Sequence, residues 1–174
     1  VTGPSSGESG DPFPIPFNSR RSPILCTNGC VASSQPLASS AGISILMKGG
    51  NAADAALATA AVLAITEPCS TGLGGDMFSL YYDSRDKEVK CVNGSGRCPG
   101  NLNLDVLKKE LPDGKGGVDN NRHRKSVHSI TIPGAARGWE EFYARHSSGK
   151  FTFAELLEPA AKLAEDGFPV APIT

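Results

Sequence analysis

Arg97 stands in the segment Gly94-Ser95-Gly96-Arg97-Cys98-Pro99, between glycines and a proline, at the exit from an apolar segment with the look of a strand. A guanidinium so placed can meet a carboxylate through two parallel hydrogen bonds. Pairing with a structural Asp or Glu of the same chain is an equally good reading of these residues. A second glycine-rich stretch, Ser70-Thr71-Gly72-Leu73-Gly74-Gly75-Asp76, invites comparison with a phosphate loop. Its order is the reverse of one. Phosphate loops run from strand to helix, so that the helix N-terminus faces the anion. This turn follows a helical pattern, precedes a strand pattern and has no Gly-Lys-Ser/Thr. Its glycines suit a tight crossing, and Asp76 is placed to bond the backbone of the turn.

Other chemistries find little support. His123, His128 and His146 have no carboxylate or cysteine at ligand spacing, and surface or structural roles are expected for them. The five cysteines, Cys26, Cys30, Cys69, Cys91 and Cys98, form no Cys-x-x-Cys pair and no His-flanked set, so neither zinc nor any other cofactor is expected. Their odd number, with no signal-peptide pattern in the chain, favours reduced thiols and a cytoplasmic location, although the sequence opens on Val1. There is no Gly-x-Ser-x-Gly elbow and no His-Glu-x-x-His. A net charge of −1 argues against a nucleic-acid surface, and Arg122, Arg124 and Lys125 are expected to form a solvated turn. Asn93-Gly94-Ser95 matches a glycosylation sequon, a triplet common by chance.

The elements that must position Arg97 follow from periodicity and punctuation. The 174 residues, 39% hydrophobic and 20% charged, suit one soluble domain with a real core. Residues 1–23, rich in Pro, Gly and Ser, are expected to form a mobile or extended arm, and 24–174 the folded part. Ile24 to Val31 suggests a short strand pair turning at Asn28-Gly29. Pro36 to Lys48 is expected to be a helix capped by Ser34. From Ala55 to Ile65 only Thr59 is polar, which describes a helix buried on all sides, capped by Asn51, with Asp54 in its first turn. It is too short to span a bilayer, which takes roughly 20 apolar residues. Met77 to Tyr82 and Glu88 to Val92 suggest a hairpin. Leu104 to Leu111 suggests a short helix, Pro112 to Arg124 a polar surface loop, and Val127 to Ile132 another strand. Two helices close the chain, one from Pro133 to about His146. The other runs from Thr152 to Asp166, with Thr152 and Glu155 as a capping box and Gly167 as the stop. The fold class is α+β.

Four blocks in this order, GGNAADAALATAAVLAITEP, STGLGGDMF, HSITIPGAARGWEEF and FAELLEPAAKLAEDGFPV, strongly resemble the large subunit of the γ-glutamyltranspeptidase family over roughly Arg20 to Thr174. The resemblance implies part of the αββα sandwich of an N-terminal-nucleophile hydrolase. It also implies a precursor that cuts itself before a threonine, which then attacks γ-glutamyl amides such as glutathione and passes the acyl group to water or an amino acid. In the family that threonine lies in the small subunit. This chain is therefore expected to carry no catalytic residue, to need the small subunit of the same precursor as partner, and to be inactive alone. Typical members place an arginine four residues before the proline of this loop, where it binds the substrate α-carboxylate. Here that position is Ser95, and Arg97 is the nearby arginine. Ser95 and Arg97 are accordingly the candidate substrate-binding residues. The Gly-Ser-Gly-Arg-x-Pro form resembles a bacterial-type, acylase-like branch, so hydrolase chemistry carries over better than glutathione specificity. The contrasting reading is a truncated, non-catalytic protein that acts only as a binding or decay product.

Overall fold

The computed structural model describes residues 22–170; the arm expected over 1–23 lies outside them except for its last two residues. The elements are helices α1 (Pro36–Met47) and α2 (Ala52–Thr66), strands β1 (Met77–Asp83) and β2 (Glu88–Gly94), and helices α3 (Leu104–Glu110), α4 (Asn120–Arg124), α5 (Ala135–His146) and α6 (Phe153–Asp166). A single 3-10 turn lies at Val127–Ser129.

Helix α2 is the centre of the core, with α1, α5 and α6 packed around it. Its alanines let the neighbours approach closely. At Gly42 of α1 an added Cβ would lie 2.3 Å from Thr59 Oγ1 and 3.1 Å from the Ala55 carbonyl, so only glycine fits that crossing. Leu57, Ala58, Ala61 and Val62 of α2 pack with Ala38 and Ile45 of α1, Trp139 and Phe142 of α5, and Leu156 and Ala160 of α6. The two buried hydroxyls of α2 bond within the helix, Thr59 to the Ala55 carbonyl at 2.7 Å and Thr66 to the Val62 carbonyl at 2.9 Å. Asn51 caps its start as expected, and Asp54, expected only in the first turn, completes a reciprocal capping box with it.

Strands β1 and β2 pair antiparallel, with Met77 opposite Gly94 and Asp83 opposite Glu88. The inner face, carrying Met77, Ser79, Tyr81 and Val92, turns toward the core, where Tyr81 stacks on His146 of α5 with ring centroids 4.6 Å apart. The outer face, with Phe78, Leu80, Tyr82 and Val89, is 59–78% exposed.

Several expectations need correction. Ile24 to Val31 forms no strand; Ile24 and Leu25 are 79% and 94% exposed, so no core face holds a hairpin there. The N-cap of α1 is Gln35, whose side-chain oxygen accepts from Leu37 and Ala38 N–H, while the Ser34 hydroxyl instead donates to Glu67 at 2.7 Å. Val127 to Ile132 is the 3-10 turn followed by extended chain, because no neighbouring strand offers it a ladder. The polar loop Pro112 to Arg124 contains α4, capped by Asp119. The last two helices stand where expected, α5 starting at Ala135 and α6 capped by Thr152 and Glu155.

Candidate functional site

Three stretches of backbone meet at the open end of the hairpin: Gly75-Asp76 before β1, Gly94 to Arg97 after β2, and Thr131 to Gly134 leading into α5. The Gly75 carbonyl accepts from the N–H groups of Gly134 and Ala135, both at 3.0 Å, which satisfies donors at the start of a helix with no side-chain cap. The Ile132 N–H donates to the Arg97 carbonyl at 3.0 Å. The crossing has no spare volume. A Cβ on Gly96 would sit 2.1 Å from the Ile132 carbonyl oxygen, and one on Gly134 2.1 Å from the Gly94 carbonyl oxygen.

Asp76 closes this crossing. One of its carboxylate oxygens accepts the Gly96 N–H at 2.7 Å and the Thr131 hydroxyl at 3.1 Å. The expectation that Asp76 bonds its own turn is therefore corrected: the carboxylate reaches segments 20 and 55 residues away. Sequence reasoning missed this role, for which the only local signal is an acidic residue after the glycine pair.

Ser95 and Arg97 line one cleft of about 340 Å³, together with Val92, Ile132, Arg137 and Glu141. The Ser95 N–H donates to Asn93 Oδ1 at 3.0 Å, and its exposed hydroxyl donates to the Gly96 carbonyl at 3.4 Å. Arg97 is exposed and makes no ion pair among the described residues, so the pairing with a structural acid does not occur there. Arg137, which sequence reasoning did not single out, is occupied by Glu140 at 2.6 Å and Glu141 at 3.6 Å. Those bonds hold its guanidinium above its ordinary range of basicity. Among the described residues, the positive group of the cleft without an acidic partner is Arg97.

The remaining candidates fall elsewhere. A larger cleft of about 560 Å³ lies between residues 28–32 and α2, but small and apolar groups line it and no charged side chain does. His128 meets Glu110 at 2.6 Å and joins α3 to the 3-10 turn, a contact across 18 residues that local spacing does not reveal. His146 is stacked between α5 and β1, and burial lowers its basicity. Among the described residues no group of three or more His, Cys, Asp or Glu is arranged to hold a metal. Among the described residues all five cysteines are unpaired and exposed, and no helix is long and apolar enough to cross a membrane.

Comparison with known proteins bears on the whole arrangement. The family model described as Gamma-glutamyltranspeptidase matches residues 38–174. The Glutathione hydrolase-like YwrD proenzyme of Bacillus subtilis is 41% identical over 85% of this chain and 26% of its own length. The Acylase ACY 1 proenzyme of Pseudomonas sp. strain V22 is 36% identical over 92% of this chain and 29% of its own. Among solved structures, cephalosporin acylase from Bacillus halodurans superposes with a TM-score of 0.75 at 39% identity, covering 94% of this chain and 28% of that one. Helicobacter pylori gamma-glutamyltranspeptidase gives 0.72 at 30% identity, covering 84% and 40%. The chain thus spans about a quarter of the length of the curated relatives it matches. On this likeness its α+β fold is part of the sandwich of the N-terminal-nucleophile hydrolases, and the chain belongs to the γ-glutamyltranspeptidase family.

Proposed function

We propose that this chain is the N-terminal part of the large subunit of a self-cleaving γ-glutamyl hydrolase or transferase, with Arg97 as the group that takes the acidic end of the acyl substrate. The observation that carries the reading is the cleft itself. Among the described residues Arg97 is its one cation without an acidic partner, and the backbone on both sides of that residue is tied to other segments. A carboxylate entering there can accept two parallel N–H bonds, and Ser95 adds a hydroxyl at the same edge.

The names of the relatives, glutathione hydrolase and acylase proenzymes, support amide-bond chemistry on an acyl group. The nucleophile is a threonine of the small subunit, outside this stretch. Its hydroxyl oxygen adds to the amide carbonyl while its own α-amino group takes the proton and returns it to the departing amine. The acyl-threonine ester is then opened by water, or by the amino group of an acceptor. The contribution of the present residues is to bind and orient the acyl end, which lowers the entropic cost of that attack. The exposed apolar face of the hairpin supports the second half of the proposal, that a further sheet from the same precursor covers it.

In the full-length protein, Arg97→Ala is expected to raise KM for a γ-glutamyl amide by about 10- to 100-fold, the loss of a charge-assisted bond. Self-cleavage, followed by the appearance of two subunits on a gel, is expected to proceed unchanged. An unaltered KM, or loss of self-cleavage, overturns the assignment.

A further inference from the structure

We infer that Asp76 is a positioning residue for Arg97, holding the peptide that precedes it so that the guanidinium faces the cleft; this rests on the substrate-binding reading of Arg97 given above. The argument starts from what fixes an exposed arginine. A glycine-flanked loop leaves the Cα of such a residue free to wander, and confining its backbone costs conformational entropy. Here that confinement is already made. The Gly96 N–H, immediately before Arg97, is held by the Asp76 carboxylate at 2.7 Å, and the Arg97 carbonyl, immediately after its Cα, is held by the Ile132 N–H at 3.0 Å. The same Asp76 oxygen binds the Thr131 hydroxyl at 3.1 Å, one residue from Ile132, so one carboxylate ties both clasping segments together. A bond from N–H to an ionised carboxylate is about twice as strong as a neutral one.

The steric fit points the same way. A Cβ at Gly96 would come within 2.1 Å of the Ile132 carbonyl oxygen and 2.6 Å of the Thr131 hydroxyl. The loop therefore lies flat against the segment that Asp76 also holds. Without the carboxylate, Gly96 and Thr131 can turn to water, and the arginine stem regains the motion that substrate binding must then remove.

The test uses the full-length protein, a γ-glutamyl amide substrate and five variants. Asp76→Ala is expected to raise KM about tenfold with kcat within about twofold, on the scale of one charged hydrogen bond. Asp76→Asn, whose amide oxygen can still accept the Gly96 N–H, is expected to recover most of that affinity. In an Arg97→Ala background, Asp76→Ala is expected to add almost nothing, since the group it positions is gone. Unchanged KM for Asp76→Ala, beside a raised KM for Arg97→Ala, overturns the role of Asp76 and leaves Arg97 standing, as does full additivity in the double variant. Unchanged KM for Arg97→Ala overturns the substrate-binding reading itself. If Asp76→Ala abolishes self-cleavage, Thr131→Val removes one donor to the carboxylate and tests the same clasp. A smaller KM rise in the same direction is then expected, and no rise overturns the inference.

Discussion

Asp54 and Asp76 are both acidic residues next to a helix or strand start, and they were not equally legible. Asp54 is fully buried, accepts the Asn51 N–H at 3.0 Å and receives the Ser148 N–H at 3.2 and 3.3 Å on its two oxygens. Asn51 in turn donates its amide to the His146 carbonyl at 2.7 Å, so α2 begins where α5 ends. Replacing Asp54 by alanine leaves the Asn51 and Ser148 N–H groups without their acceptor, and a loss of about 1–3 kcal/mol is expected from denaturant unfolding. The half of this network within four residues was visible as the spacing of Asn51 and Asp54. The half that reaches Ser148 was not, because it depends on a packing of elements 94 residues apart. Asp76 has no local partner at all, which is why its sequence context suggested only a turn. Arg97 was legible as a candidate because glycine and proline neighbours announce an exposed, shaped loop. Its freedom from an acidic partner among the described residues is a property of the fold alone.

At the level of elements, helices with complete end signals were placed correctly and strands without partners were not. Helix α6 carries Thr152, Glu155 and Gly167 at the positions its two ends demand, and it stands as expected. Val127 to Ile132 alternates like a strand, yet alternation describes a face without supplying a neighbour to bond it. Among the described residues it is bonded to the ends of the hairpin by Thr131, which reaches Asp76 before β1, and by Ile132, which reaches Arg97 after β2. Where α5 lies against the hairpin, His146 stacks on Tyr81 and meets Phe142 edge-on at 5.1 Å. Burial, followed by the positive charges of Lys90 and Arg145, keeps its ring less basic than the usual 6.5. The unfolded chain therefore takes up this proton first as pH falls below about 6.5, and stability declines from there toward the lower folded-state value. His146→Phe keeps an aromatic ring in the stack and removes the titration. Thermal melts of the variant between pH 7 and 5 are expected to fall less steeply than those of the parent; equal slopes exclude the assignment.

For the molecule as a whole, the hairpin is finished on one face and open on the other. Phe78, Leu80, Tyr82 and Val89 together present an apolar surface that a soluble monomer rarely leaves uncovered. The chain produced alone is expected to self-associate, and Phe78→Ser with Leu80→Lys is expected to raise its monomer fraction in light scattering. The same pair of changes is expected to weaken docking of the small subunit proposed above.

The clasp at the hairpin exit also changes how the intervening chain is to be regarded. Everything between Arg97 and Ile132, including α3 and α4, leaves and returns through a doorway held by the Ile132 N–H and by Asp76. Such an excursion is tied off at its base. Lengthening or trimming it costs only the slow, logarithmic entropy of a longer or shorter closed loop. The doorway tolerates no added methyl group at Gly96 or Gly134, so it resists drift while the excursion beyond it is at liberty to change. Insertions and deletions between α3 and α4 can thus accumulate without disturbing the position of Arg97 at the root of the excursion.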